Sequence, residues 1–120
     1  MIAPVVTRIS PAWSRRAGSS ATQGTSKATT VAFNAVCGTI TMHNATLNAD
    51  TTVAFTFTNT SIAATDQVVI THSSGGTLGA YTFAVTPAAG SAVISVHNAT
   101  PGNLGEAIVL RFFVLKAVVT

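Results

Sequence analysis

Thr52-Val53-Ala54-Phe55-Thr56-Phe57-Thr58-Asn59 is the stretch on which the reading of this chain turns. Val53, Phe55 and Phe57 alternate with Thr52, Thr56 and Thr58. A period of two sends apolar side chains to one face and hydroxyls to the other, the pattern of a half-buried strand. β-Branched and aromatic residues suit that pleated surface. Ile94 and Val96 alternate with Ser95 and His97 in the same way. Similar runs, rich in Val, Ile, Thr and Phe, fall at 29–34, 38–43, 67–72, 80–86 and 108–117. They recur every 10 to 15 residues or so, with breakers such as Ser73-Ser-Gly-Gly76, Pro87-Ala-Ala-Gly90 and Pro101-Gly-Asn103 between them. No segment sustains a helical apolar period. The sequence therefore predicts an all-β protein, a single jelly-roll-like β-sandwich.

Ile108-Val-Leu-Arg-Phe-Phe-Val-Leu-Lys-Ala117 breaks the alternation, being apolar on both faces apart from Arg111 and Lys116. Two readings stand. The strand is central and covered on both sides, or its second face, with Val109, Arg111, Phe113 and Leu115, packs against another subunit.

At 120 residues the chain is long enough for one domain. Only 8% of its residues are charged, against about 25% in an average soluble protein. Ser, Thr, Asn and Ala must then cover the outside, and such a surface loses little when a partner displaces its water. Arg8, Arg15, Arg16 and Lys27 all precede residue 28 and no acid accompanies them. The remainder balances Arg111 and Lys116 against Asp50, Asp66 and Glu106. Residues 1–27 are accordingly expected to be an extended N-terminal arm, apolar then basic, and residues 28–120 the sandwich. An arm of this composition does not offset its own ordering entropy, so a second chain is its expected support. Ile2, Val5, Ile9 and Trp13 are the apolar anchors, and Arg8, Arg15 and Arg16 supply charge. The arginine pair could also meet phosphate, but aromatic residues for base stacking are missing apart from Trp13, so nucleic acid is not the expected partner.

Chemistry has few candidates. Asp50 and Asp66 fall in predicted turns, and Glu106 precedes the last strand with Lys116 or a neighbour's arginine as its expected partner. His43, His72 and His97 each end a strand, without the spacing of a metal motif. Cys37 is alone, which excludes an internal disulfide, and reads as a small core residue. Neither catalytic, cofactor nor metal residues are expected. The apolar start is too short for a secretion signal, and 108–119 too interrupted for a membrane span. The sequons at Asn44, Asn59 and Asn98 read as turn chemistry. His43-Asn-Ala-Thr46 recurs as His97-Asn-Ala-Thr100, which suggests two equivalent corners.

Beyond this, the chain resembles a family of short proteins encoded in tailed-bacteriophage genomes. The resemblance rests on Gly38-Thr-Ile-Thr-Met42, Phe55-Thr-Phe-Thr-Asn59, Asp66-Gln-Val-Val-Ile70, Gly79-Ala-Tyr81, the strand from Gly90 to Asn98, and Glu106 to Phe112. It covers residues 27 to 116 and leaves the arm out. It implies a virion structural protein: a capsid cement or decoration subunit, made in the host cytoplasm, whose partners are itself, as a homotrimer, and the major capsid protein. The start of the chain only 27 residues before the domain favours cement over a trimeric tail-fibre or tailspike module. A carbohydrate-binding sandwich is a further alternative, which would need Tyr81 exposed beside Asp66 or Asn59.

Overall fold

The computed structural model describes residues 20–116. Two four-stranded sheets pack face to face. Sheet A has the order β1-β3-β8-β5, from β1 (Ser20–Thr22), β3 (Cys37–Thr41), β8 (Val109–Leu115) and β5 (Gln67–Ser74). Sheet B has the order β2-β4-β7-β6, from β2 (Val31–Ala32), β4 (Thr51–Thr58), β7 (Ser91–Asn98) and β6 (Tyr81–Ala88). All seven runs expected from the sequence are strands, and the protein is a β-sandwich. Both first strands run parallel to their neighbours, β1 to β3 and β2 to β4, a departure from an all-antiparallel jelly roll.

The alternation explains the core. Phe55 and Phe57 of β4, Ile94 and Val96 of β7, and Ile108, Leu110, Phe112 and Val114 along β8 are all buried. Phe57 and Phe112 meet edge to face across the sandwich at 4.9 Å between ring centres, and Phe33 closes on both at 5.3 and 5.6 Å. Each such pair adds about 0.5–1.5 kcal/mol beyond the area it buries.

The sandwich begins earlier than composition suggests. Residues 20–27, assigned above to the arm, belong to the domain: β1 is hydrogen-bonded into sheet A, and Gln23 and Lys27 are buried. They are buried as polar groups, with partners. Gln23 Nε2 donates to the carbonyls of Lys27 and Thr29 at 2.9 and 3.0 Å, and its Oε1 accepts from the His43 amide at 3.1 Å. Lys27 Nζ donates to the carbonyls of Glu106, at 2.6 Å, and His43. Burial holds the Lys27 ammonium pKa below its ordinary value, with the charge of Glu106 opposing the shift. These contacts let the chain cross from the edge of one sheet to the edge of the other.

Two asparagines work in the same manner. Asn59 lies between chain segments, its Nδ2 donating to Ala35 O at 2.6 Å and its Oδ1 accepting from the amides of Ala35 and Ser61. Asn98 Nδ2 lies 3.0, 3.2 and 2.9 Å from the carbonyls of Leu47, Asn48 and Gly102, while its Oδ1 accepts from the Thr100 amide and hydroxyl. Turn chemistry thus accounts for both sequons. The two His-Asn-Ala-Thr corners are neighbours, tied by the Leu47–Leu104 bridge, but not equivalent, since Asn98 is buried and Asn44 exposed.

Replacing Asn98 with Asp keeps the shape but exchanges a donor for a charge facing carbonyl oxygens. Asn98→Asp is expected to cost about 3 kcal/mol or more at neutral pH, read from urea unfolding with an unchanged denaturant slope.

Candidate functional site

The outer face of sheet A is where the structure gathers the residues singled out on the last strand. β8 lies between β3 and β5, so its inward side chains are covered by sheet B. Val109, half-buried, and Arg111, Phe113 and Leu115, all exposed, point the other way. The reading in which both faces of the doubly apolar strand are covered does not hold, since Arg111, Phe113 and Leu115 are exposed. The strand is central in its sheet, and no described residue covers its second face.

Register builds the patch. Phe113 pairs with Cys37 on one side and Val69 on the other, giving a row of three. Leu115 and Gln67 form the next row toward that end of the sheet, and Thr39, Arg111 and Thr71 the row behind. Val69, Phe113 and Leu115 are 37%, 38% and 53% exposed, three of the five large apolar residues on the described surface. A groove of about 440 Å³ opens between β3 and β8, lined by Cys37, Gly38, Thr39, Arg111, Phe112 and Phe113. The Arg111 side chain makes no hydrogen bond or ion pair to another described residue. Cys37 is a half-buried lining residue of this groove and not the core residue expected, because the strand's alternation gives the core to Gly38 and Ile40. Ile2, Val5, Arg8, Ile9, Trp13, Arg15 and Arg16, the expected anchors of the arm, lie outside the described residues.

Sheet B presents a different surface. Thr52, Ala54, Thr56 and Thr58 on β4 lie beside His97, Ser95, Val93 and Ser91 on β7, and these beside Thr82, Ala84, Thr86 and Ala88 on β6. Short, uncharged side chains make up nearly all of it, the Thr face that the alternation predicts.

The titratable groups are less scattered than the sequence suggests, yet each cluster is accounted for by structure. Glu106 Oε1 accepts from the Thr77 amide at 2.9 Å and the Tyr81 hydroxyl at 2.7 Å, and Oε2 from the Thr77 hydroxyl at 2.8 Å. Lys116, its expected partner, instead donates to Asp66 and to Ser61 O. The reason is placement: Lys116 leaves β8 at the end opposite Glu106. Those hydrogen bonds, Tyr81 first and Thr77 next, hold the Glu106 carboxyl below its ordinary pKa of 4.5 despite partial desolvation, and His72 nearby adds to the effect. Burial, then the bond to Glu106, pushes the Tyr81 phenol upward. His72 stands edge-on to Tyr81 at 5.7 Å. Tyr81 is buried, so it offers no stacking platform for a sugar.

Thr52, His97 and Asp50 form a hydrogen-bonded line that sequence reading missed. Thr52 Oγ1 lies 2.9 Å from His97 Nδ1, and His97 Nε2 lies 3.1 Å from Asp50 Oδ1. The order imitates a nucleophile, base and orienting acid. However, Asp50 is 88% exposed, and a solvated carboxylate lacks the buried setting in which such an acid stabilises an imidazolium. Its left-handed φ of 51° and its amide bond to Thr100 O make it a turn residue, as read from the sequence. Among the described residues no three His, Cys, Asp or Glu side chains converge as a metal site, and no helix is long and apolar enough to cross a membrane.

Fold and face together define a small all-β sandwich with an apolar patch at one end of one outer surface and a hydroxyl-rich second surface. Comparison with protein-family models, with curated proteins and with solved structures yields no match.

The depressed carboxyl of Glu106 carries a pH dependence. A folded-state pKa below 4.5 contributes stability that is present above that value and lost as pH falls through the depressed one. Glu106→Gln is expected to cost about 1–2 kcal/mol near neutrality, a fall in Tm of about 4–8 °C per kcal/mol. The difference from the parent should shrink toward pH ~3, as thermal unfolding at both pH values will show.

Proposed function

We propose that this protein is a structural subunit of a virion, a capsid cement or decoration protein that acts by adding contact area and not by chemistry. The observation that carries this reading is the row Cys37, Phe113, Val69 with Leu115 beyond it, an exposed apolar surface on the one strand that is apolar on both faces. Contiguous exposed apolar side chains on a small soluble domain mark contact with another macromolecule. Few charges surround them, so little hydration must be stripped when two subunits meet. Val109, Arg111, Phe113 and Leu115 serve as the contact between copies, three around a lattice junction. Such a symmetric oligomer repeats one small contact and gains strength from the number of copies. Ile2, Val5, Ile9 and Trp13, with Arg8, Arg15 and Arg16, reach the major capsid protein. The resemblance to phage-encoded proteins points to the capsid as the lattice.

The test is co-sedimentation of the full chain with empty capsids, followed by cross-linking of the bound protein. Cross-linked trimers are expected on the capsid. Phe113→Glu combined with Leu115→Glu is expected to lower retention at least about tenfold while leaving the far-ultraviolet spectrum unchanged, because both side chains are exposed. Failure of the full chain to bind, or equal retention of the double variant, overturns the proposal. Adhesion to cells or glycans in place of capsids would move the role to a tail fibre.

A further inference from the structure

The large exposed apolar residues on the outer face of sheet A are all at one end of it. Phe113, Val69 and Cys37 share a row, and Leu115 lies one row further out. Thr39 and Thr71 flank Arg111 in its own row, and beyond that row the face is Thr41 and Val109. The parallel pairing of β1 with β3 relates this asymmetry to the rest of the chain. Ser20 stands beside Thr39, Ala21 beside Ile40 and Thr22 beside Thr41. β1 therefore runs away from the end where Cys37, Phe113 and Leu115 lie, and its first residue, Ser20, is the one nearest that end.

We infer that the apolar segment of the chain's own first 13 residues, with Trp13 as its anchor, docks on this end of sheet A, the indole in the groove between Cys37, Thr39, Arg111 and Phe113. Three observations support an own-chain occupant. The reach suffices: seven residues from Trp13 to Ser20 span up to about 23 Å, whereas the sheet from β1 to β5 is about 14 Å wide. The chemistry matches, since Ile2, Val5, Val6, Ile9 and Trp13 are apolar, and an indole can stack on both Phe113 and the guanidinium of Arg111, which has no other partner among the described residues. The competition also favours it. A tether this short holds its end at a millimolar effective concentration, well above that of a second copy in dilute solution.

The inference rests on the assembly reading only for what later displaces the segment. In a free subunit the segment covers the face that would otherwise invite aggregation. A single encounter at micromolar concentration does not outcompete a millimolar tether, but a lattice offering several contacts at once does. The segment is then released for the neighbouring surface, and assembly is confined to the lattice.

Two single residues report on this directly, because the chain has one tryptophan and one cysteine. In the full chain at low micromolar concentration, the expected results are a monomer by light scattering, blue-shifted Trp13 emission, and slow quenching by acrylamide compared with the urea-unfolded chain. Cys37 should react with a maleimide at least about tenfold faster in Trp13→Ala than in the parent. Val69→Lys in the full chain, at an exposed position beside Phe113, should red-shift Trp13 without altering the far-ultraviolet spectrum. Solvated Trp13 emission in the native chain, or a Cys37 rate that Trp13→Ala leaves unchanged, overturns the inference. So does a blue shift that disappears on dilution together with a fall in mass, since the occupant is then a second copy. None of these readouts uses a capsid. A protein that passes them and ignores capsids removes the assembly reading alone, and one that binds capsids with an exposed Trp13 removes only the inference.

Discussion

The contact between Phe57 on β4 and Phe112 on β8, 4.9 Å between ring centres, is the joint on which the sandwich depends. It ties the second strand of one sheet to the third strand of the other, so neither sheet can slide without separating the rings. The other large buried side chains of both sheets, Ile40, Ile94, Leu110 and Val114, belong to the same core cluster. A charge-poor domain has little else to define its geometry. Its core must carry specificity that salt-bridge networks supply elsewhere.

What the core cannot do is close the loops. Backbone groups at the two ends of the sandwich are kept from water and need partners. Asn59, Asn98, Gln23 and Lys27 supply them, all four buried and each joining segments distant in sequence. Glycine makes a comparable contribution after β5. A side chain at Gly75 would put its Cβ 2.6 Å from Ala107 O, and one at Gly76 2.7 Å from Glu106 Oε1, with both residues at positive φ. Glu106, which reads as a surface charge in the sequence, is thereby held as the latch of that turn through Thr77 and Tyr81.

A core that satisfies itself leaves function to the outside, and the outside is divided. Sheet B shows hydroxyl and methyl groups without charge, apart from His97 at its margin. Sheet A shows a greasy end, a lone arginine and a threonine end. The division follows from pairing. Cys37, Phe113 and Val69 come from three separate strands and meet only because β3, β8 and β5 are adjacent in a fixed register. The parallel first strand begins on the side of the greasy end and runs toward the threonine end.

The sequence by itself determined the class of fold and the positions of seven strands, because a period of two, as in 52–58, is a local property legible within one short stretch. It also determined that β8 would be apolar on both faces, and that Asn59 and Asn98 would serve turns. It did not reveal β1, three residues of Ser-Ala-Thr whose strand state comes from β3 and not from their own propensity. Nor could it place Lys27, Gln23 and Cys37, since burial of a polar group depends on which carbonyls lie opposite it. The pairs Glu106–Tyr81, Lys116–Asp66 and His97–Asp50 span 25, 50 and 47 positions, and only the folded arrangement decides which of three acids meets which partner. Local patterning is written residue by residue; contacts between strands exist only once loops have been closed and a register chosen.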